Sequence, residues 1–155
     1  MIRAATTSDV PAMLALGQRM HDESRFDVLR WNARKIEALL HTCIASDDGL
    51  ALVAERDGEV IGGFIGFVGE HWCSDDRVGY DMALYVQPDR RGSIAGVRLL
   101  TAYREWAQAR GAVQITCGIT TGVSLEATTR LYQAAGFVHV GHLFEYQGND
   151  HVHRT

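Results

Sequence analysis

Residues 84–100 read Leu84-Tyr85-Val86-Gln87-Pro88-Asp89-Arg90-Arg91-Gly92-Ser93-Ile94-Ala95-Gly96-Val97-Arg98-Leu99-Leu100. An apolar strand runs into a proline, then a basic turn with a glycine, then the first turn of an amphipathic helix. The first N–H groups of a helix have no intrahelical acceptor, and the helix dipole favours negative charge beside them. Arg90 and Arg91 add fixed positive charge at the mouth of the turn. The stretch therefore points to a phosphate or pyrophosphate. The competing reading is an ordinary strand-to-helix turn with solvated arginines, since a glycine pair alone is a weak motif.

Working outward, the helical pattern extends to Arg110, with Leu99, Leu100, Tyr103, Trp106 and Ala107 on one face and Gly111 as a C-terminal cap. Upstream, Val78 to Val86 reads as a strand, Cys73 to Arg77 as a turn, and Val60 to Val68 as a strand carrying Gly62, Gly63 and Gly66. Glycines in a strand mark a bulge or a close approach. Asp57-Gly58 between this run and Leu50–Ala54 is a hairpin signal. Earlier still come a short strand at Ile2–Ala4 and a helix from Val10 towards Met20. An irregular connection over His21–Trp31 then leads to a helix capped by Asn32. Downstream, Val113–Cys117 reads as a strand, and Ser124 as the cap of a helix ending at Gly136. Phe137–Val140 and Leu143–Tyr146 read as two final strands. This order predicts an α+β (α/β mixed sheet) domain over residues 1–146, with about six to seven strands and about four helices on both faces. A polar tail over residues 147–155 follows.

The chain has 155 residues, 46% hydrophobic and 22% charged, with a formal charge of −4. That is an ordinary globular balance, large enough for one core without staples. The acidic balance weighs against a nucleic-acid binder. Cys43, Cys73 and Cys117 form no CxxC pair, so neither a disulfide framework nor a zinc knuckle follows. No signal-peptide pattern opens the sequence, and no apolar run is long enough to span a bilayer. The expectation is a cytoplasmic protein that engages no membrane.

A second motif sits at Leu131-Tyr132-Gln133-Ala134-Ala135-Gly136-Phe137. Taken alone it is a helix end that packs a tyrosine and stops at glycine. A phenol there can also donate a proton to a leaving thiolate. Together, and in this order, the two motifs resemble the GNAT superfamily of acyl-CoA-dependent N-acetyltransferases, and the order of elements along nearly the whole chain is similar. Arg91 and Gly96 match the first and last positions of that family's pyrophosphate loop. Ile94 stands at the middle glycine's place, and Leu125 where an asparagine is common. An isoleucine there is compatible with the loop if it takes helical angles.

The resemblance implies a GNAT-like fold whose sheet splays between the strands ending near Val86 and beginning near Val113. It implies acetyl-CoA as cosubstrate, without a metal, and transfer of an acetyl group to a primary amine by direct attack in a ternary complex. The backbone of Leu84, Tyr85 and Val86 would align the pantetheine arm. Arg91, Gly92, Ser93, Ile94, Ala95, Gly96 and Val97 would hold the pyrophosphate, and Tyr132 would protonate the departing sulfur. The acceptor would be a small-molecule or peptide amine, and a homodimer is open by analogy. The alternative is a catalytically silent CoA-binding sensor or interaction module. No Gly-x-x-x-x-Gly-Lys-Ser/Thr loop supports a nucleotide binder.

An attacking amine must be neutral, so a base is required. Asp81, on the strand before the loop, is the first candidate, with a solvent-facing carboxylate as the competing reading. Glu70 is second, within a turn cluster that includes His71, Asp75 and Asp76. His21, Asp22 and Glu23 lie where such folds place acceptor loops. His139, His142, His151 and His153 read as surface residues rather than ligands. The cysteines read as small core residues, and Trp31, Trp72 and Trp106 as packing residues, with Trp72 also able to line an acceptor pocket.

Overall fold

The computed structural model describes residues 1–146; the tail at 147–155, with His151 and His153, lies outside the described residues. Among the described residues, five strands form one sheet in sequential order: β1 (Ile2–Ala4), β2 (Gly49–Arg56), β3 (Glu59–His71), β4 (Ser74–Val86) and β5 (Gln114–Ile115). Neighbours are antiparallel except β4 and β5, which are parallel. This is the mixed sheet expected, with fewer strands. Residues 137–146 join no ladder among the described residues, and Val138, Val140, Phe144 and Tyr146 are exposed. Their alternating pattern suits a strand, but a strand also needs a partner edge, which a pattern does not supply.

Helices α1 (Val10–Glu23) and α2 (Ala33–Ala45) cover one face, and α3 (Ala95–Ala109) and α4 (Leu125–Ala134) the other. Asn32 caps α2 as expected, its side chain accepting from Lys35 N–H at 3.1 Å. Ser124 occupies the N-cap of α4 as expected, its carbonyl accepting from Thr128 N–H at 3.0 Å, but it sits at φ 47° and its side chain makes no cap bond. The two central hairpins are tight. Asp57 and Gly58 both take positive φ, at 53° and 79°, as a two-residue primed turn requires. The second turn is only Trp72-Cys73, shorter than the expected Cys73–Arg77, because Ser74 to Arg77 continue the ladder with β3.

The larger core lies under α3. Leu99, Leu100, Tyr103 and Phe64 are essentially fully buried there, with the Phe64 and Tyr103 rings 4.5 Å apart. Each such side chain contributes roughly 1.5–3 kcal/mol by leaving water. The smaller core seats Val10, Met13, Leu40 and Cys43 against Val53 and Ile65. The β3 glycines are explained by contact. A Cβ at Gly62 would lie 2.8 Å from Tyr85 O, and one at Gly66 would lie 2.7 Å from Tyr80 O.

Candidate functional site

Strands β4 and β5 pair only at Val78–Gln114 and Gly79–Ile115, after which Thr116 N–H makes a last bond to Gly79 O at 3.0 Å. Beyond that point β4 runs on towards Val86 without its neighbour. The result is a cleft of about 490 Å³, walled by residues 81–86 on one side and 118–121 on the other. The register with β3 also shifts here, from Ile65–Ala83 to Gly66–Asp81, so Met82 is an extra residue in a bulge. Gln87 N–H donates to Ile61 O on β3 at 2.9 Å. By alternation Tyr85 also faces β3, whereas the Leu84 and Val86 amides turn towards the cleft.

The basic loop closes one end. Pro88–Arg90 forms a 3-10 turn, Gly92 takes φ 81°, and Ile94 takes helical angles (φ −69°, ψ −7°) at the N-cap of α3. The positive φ thus falls on a glycine, and Ile94 enters no forbidden region. Among the described residues, the amides of Gly92, Ile94, Gly96 and Val97 have no acceptor. Arg91, Gly92, Ser93, Gly96 and Val97 line the cleft. Ile94 and Ala95 do not: Ile94 is exposed, and Ala95 is turned into the core. Arg130 lines the same cleft from α4 and was not anticipated; its place in an amphipathic helix gave no signal.

Asp81 and Tyr132 meet at Gly118. The Gly118 N–H donates to Asp81 Oδ2 at 3.1 Å, and Tyr132 Oη–H donates to Gly118 O at 2.8 Å. Burial raises the Asp81 carboxyl above the usual carboxylate range, against the opposing Gly118 hydrogen bond. Burial likewise pushes the Tyr132 phenol up, with the neighbouring Cys117 and Asp81 adding to the rise. The Cys117 thiol is raised to about 12 by burial and by Asp81, so it stays neutral. Gly118 was not singled out in the sequence, since a loop glycine carries no sign of which side chains will grip it.

The end of α1 borders the cleft through Met20 and Glu23, and the following 3-10 turn through Phe26. Arg25 ties this segment to the far wall: its N–H donates to Thr121 O at 2.9 Å, and its Nε donates to Thr120 O. Glu23 forms an ion pair with Arg91, whose Nε donates to Val86 O at 3.1 Å and whose guanidinium lies 5.3 Å from the centre of the Tyr85 ring. Tyr85 is buried, and burial, with the nearby Glu23 carboxylate adding to it, raises its phenol.

Other candidates lie elsewhere. Glu70, His71, Asp75 and Asp76 sit around the β3–β4 turn and are not part of the cleft wall. Trp72, at the tip of that turn, is 88% exposed and is not part of the cleft wall. His21 turns away, bonding Leu29 O at 2.7 Å and Asp22. Among the described residues no three His, Cys, Asp or Glu side chains gather as a metal site, and no helix is long and apolar enough to cross a membrane.

Residues 16–137 match the model of the acetyltransferase (GNAT) family. The sequence has no match among curated proteins. Among solved structures, the chain is similar to AAC(6')-Iy in complex with the bisubstrate analogue CoA-S-monomethyl-acetylneamine. The TM-score is 0.77 and the identity 16%, over 96% of this chain and 97% of the other. A putative acetyltransferase from Agrobacterium tumefaciens matches with TM-score 0.73 and 18% identity, over 96% and 99% of the two chains. The aminoglycoside 6'-N-acetyltransferase AAC(6')-IG from Acinetobacter haemolyticus matches with TM-score 0.73 and 15% identity, over 96% and 98%. At these identities the likeness speaks to the fold.

Proposed function

The chain belongs to the acetyltransferase (GNAT) family, and from that premise we propose that it moves an acetyl group from acetyl-CoA to a primary amine of a small molecule. The observation that carries this reading is the opening of the sheet beyond Gly79, with unpaired α3 amides at one end and the Asp81–Gly118–Tyr132 clasp on its walls. Arg91 and the unpaired, cleft-lining amides of Gly92, Gly96 and Val97 suit a pyrophosphate. Leu84, Tyr85 and Val86 present an extended edge for the pantetheine arm. Similarity in fold to aminoglycoside N-acetyltransferases, together with the Asp81 carboxylate at the cleft, favours a cationic amine acceptor.

Acetyl-CoA supplies an activated thioester carbonyl. Asp81, with its raised affinity for a proton, takes one from the amine. The Leu84 and Val86 N–H groups face the space where charge develops on the carbonyl oxygen. Tyr132 stays protonated through the working pH range and turns its hydroxyl from Gly118 O to the departing sulfur. Both reactants held in one cleft supply much of the remaining acceleration.

Isothermal titration with acetyl-CoA tests the first half of the reading, and the absence of saturable binding refutes it. A screen of primary amines with free-thiol detection tests the second. Binding without thiol release for any amine assigns the chain to non-catalytic CoA binding. Tyr132→Phe is expected to lower turnover with little change in acetyl-CoA affinity; unchanged turnover removes its acid role.

A further inference from the structure

A second cavity, of about 90 Å³, lies between α1, α2 and the central strands. Its lining includes the small residues Gly17 on α1, Gly63 on β3 and Ala83 on β4, where larger side chains would crowd the space. A Cβ at Gly17 would lie 3.2 Å from the Trp31 ring, and one at Gly63 would lie 3.4 Å from Met13 Cε. Its surface is almost wholly apolar, and two of its walls are the thioether chains of Met13 and Met20, which adapt to what they touch. Met20, Ala83 and Tyr85 line both this cavity and the main cleft. The cavity therefore adjoins the cleft beside the Met82 bulge, two residues from Asp81.

Resting on the acyltransferase reading above, we propose that this cavity is an acyl-chain subsite and that the donors include thioesters longer than acetyl. The class is short linear acyl-CoA of about three to four carbons, with the alkyl end inserted past Ala83. A cavity of about 90 Å³ holds only a few heavy atoms, so one or two extra methylene groups fit and a long chain does not. The chemistry is unchanged. The C–N bond forms as the C–S bond breaks, Asp81 takes the amine proton, and the sulfur takes one from Tyr132. Each methylene moved from water into an apolar site is worth roughly a fourfold gain in binding.

The test uses the full chain with CoA, acetyl-CoA, propionyl-CoA, butyryl-CoA and octanoyl-CoA. Titration is expected to give butyryl-CoA a roughly ten- to twentyfold lower Kd than acetyl-CoA, and octanoyl-CoA no further gain; equal Kd for acetyl and butyryl overturns the subsite. With an accepted amine, kcat/KM for propionyl and butyryl donors is expected within about tenfold of acetyl; a hundredfold drop at propionyl overturns it. Ile36 lines this cavity from α2 and is not part of the main cleft, so Ile36→Phe fills the cavity and is expected to lower butyryl kcat/KM at least tenfold while leaving acetyl kinetics unchanged. An equal loss for both donors, or for neither, refutes the assignment. Ile36→Ala, which enlarges the space, is expected to shift preference to longer chains and keeps the test open if the phenylalanine variant does not fold. No turnover with any donor refutes the transferase reading, whereas the binding comparison still decides on the cavity.

Discussion

Gly96, in the first turn of α3, lies directly against Leu131 of α4: a Cβ at position 96 would sit 3.0 Å from a Leu131 methyl. The basic loop and the Leu-Tyr-x-x-x-Gly-Phe motif, remote in sequence, are one packed unit. The glycine leaves room for the Leu131 side chain rather than serving a special φ, since Gly96 is helical. Gly96→Ala is expected to weaken acetyl-CoA binding several-fold and to destabilise the fold by about 1 kcal/mol. Leu131→Ala makes room for the added methyl, so the double variant is expected to recover part of both losses in a double-mutant cycle. Additive losses would show that the contact does not couple the motifs.

The Glu23–Arg91 pair holds a candidate phosphate ligand away from its anion. Glu23→Gln removes the competing charge and is expected to tighten acetyl-CoA roughly two- to fivefold, the scale of a partly exposed ion pair, with a steeper dependence on salt. Titration calorimetry at two ionic strengths checks this. Weaker binding in the variant would mean that Glu23 orients Arg91 instead.

Burial raises the Asp81 carboxyl. A group that binds its proton more tightly when folded contributes full stability below its unfolded pKa and loses it as pH rises through the folded value. Asp81→Asn is therefore expected to raise thermal stability at pH 7 while lowering kcat/KM by roughly 10²–10⁴. The acidic limb of the wild-type pH–rate profile is expected above the ordinary carboxylate range and absent in the variant. An unchanged limb would remove Asp81 as the base.

Asp9 behaves in the opposite sense. It is buried beside Arg3, with bonds of 2.8 and 2.9 Å, and these hold its carboxyl well below the usual range. Its contribution is present above the unfolded pKa of about 3.9 and is lost as pH falls towards the folded value. Asp9→Asn is expected to cost about 1 kcal/mol at neutral pH, since Arg3 is partly solvated, and to flatten the loss of stability with acid. Denaturant midpoints from pH 7 to pH 2 check both.

Particular elements separate what was legible from what was not. The Asp57-Gly58 turn, the Asn32 cap and the α3 amphipathic face were readable because each rests on local backbone preference or helical period. The basic loop was readable for the same reason. The two final strands do not form: Phe137–Tyr146 has the alternation of a strand but no ladder among the described residues, and Ser124, though at the N-cap of α4, sits at positive φ and makes no side-chain cap bond. Trp72 and the acidic cluster near it have the composition of a site, yet the long β3–β4 hairpin carries them away from the cleft.

By itself the sequence determined the order of elements, the two motifs and the family they resemble, because these are properties of neighbouring residues. Only the tertiary structure decided that Asp81 and Tyr132 grip one peptide, Gly118, that Arg91 is paired with Glu23, and that an apolar cavity adjoins the cleft at Ala83. Each of these joins residues from different elements. Their meeting is set by where β4 and β5 part and by how α1 and α4 pack beside that gap, and a linear pattern carries no record of such distances.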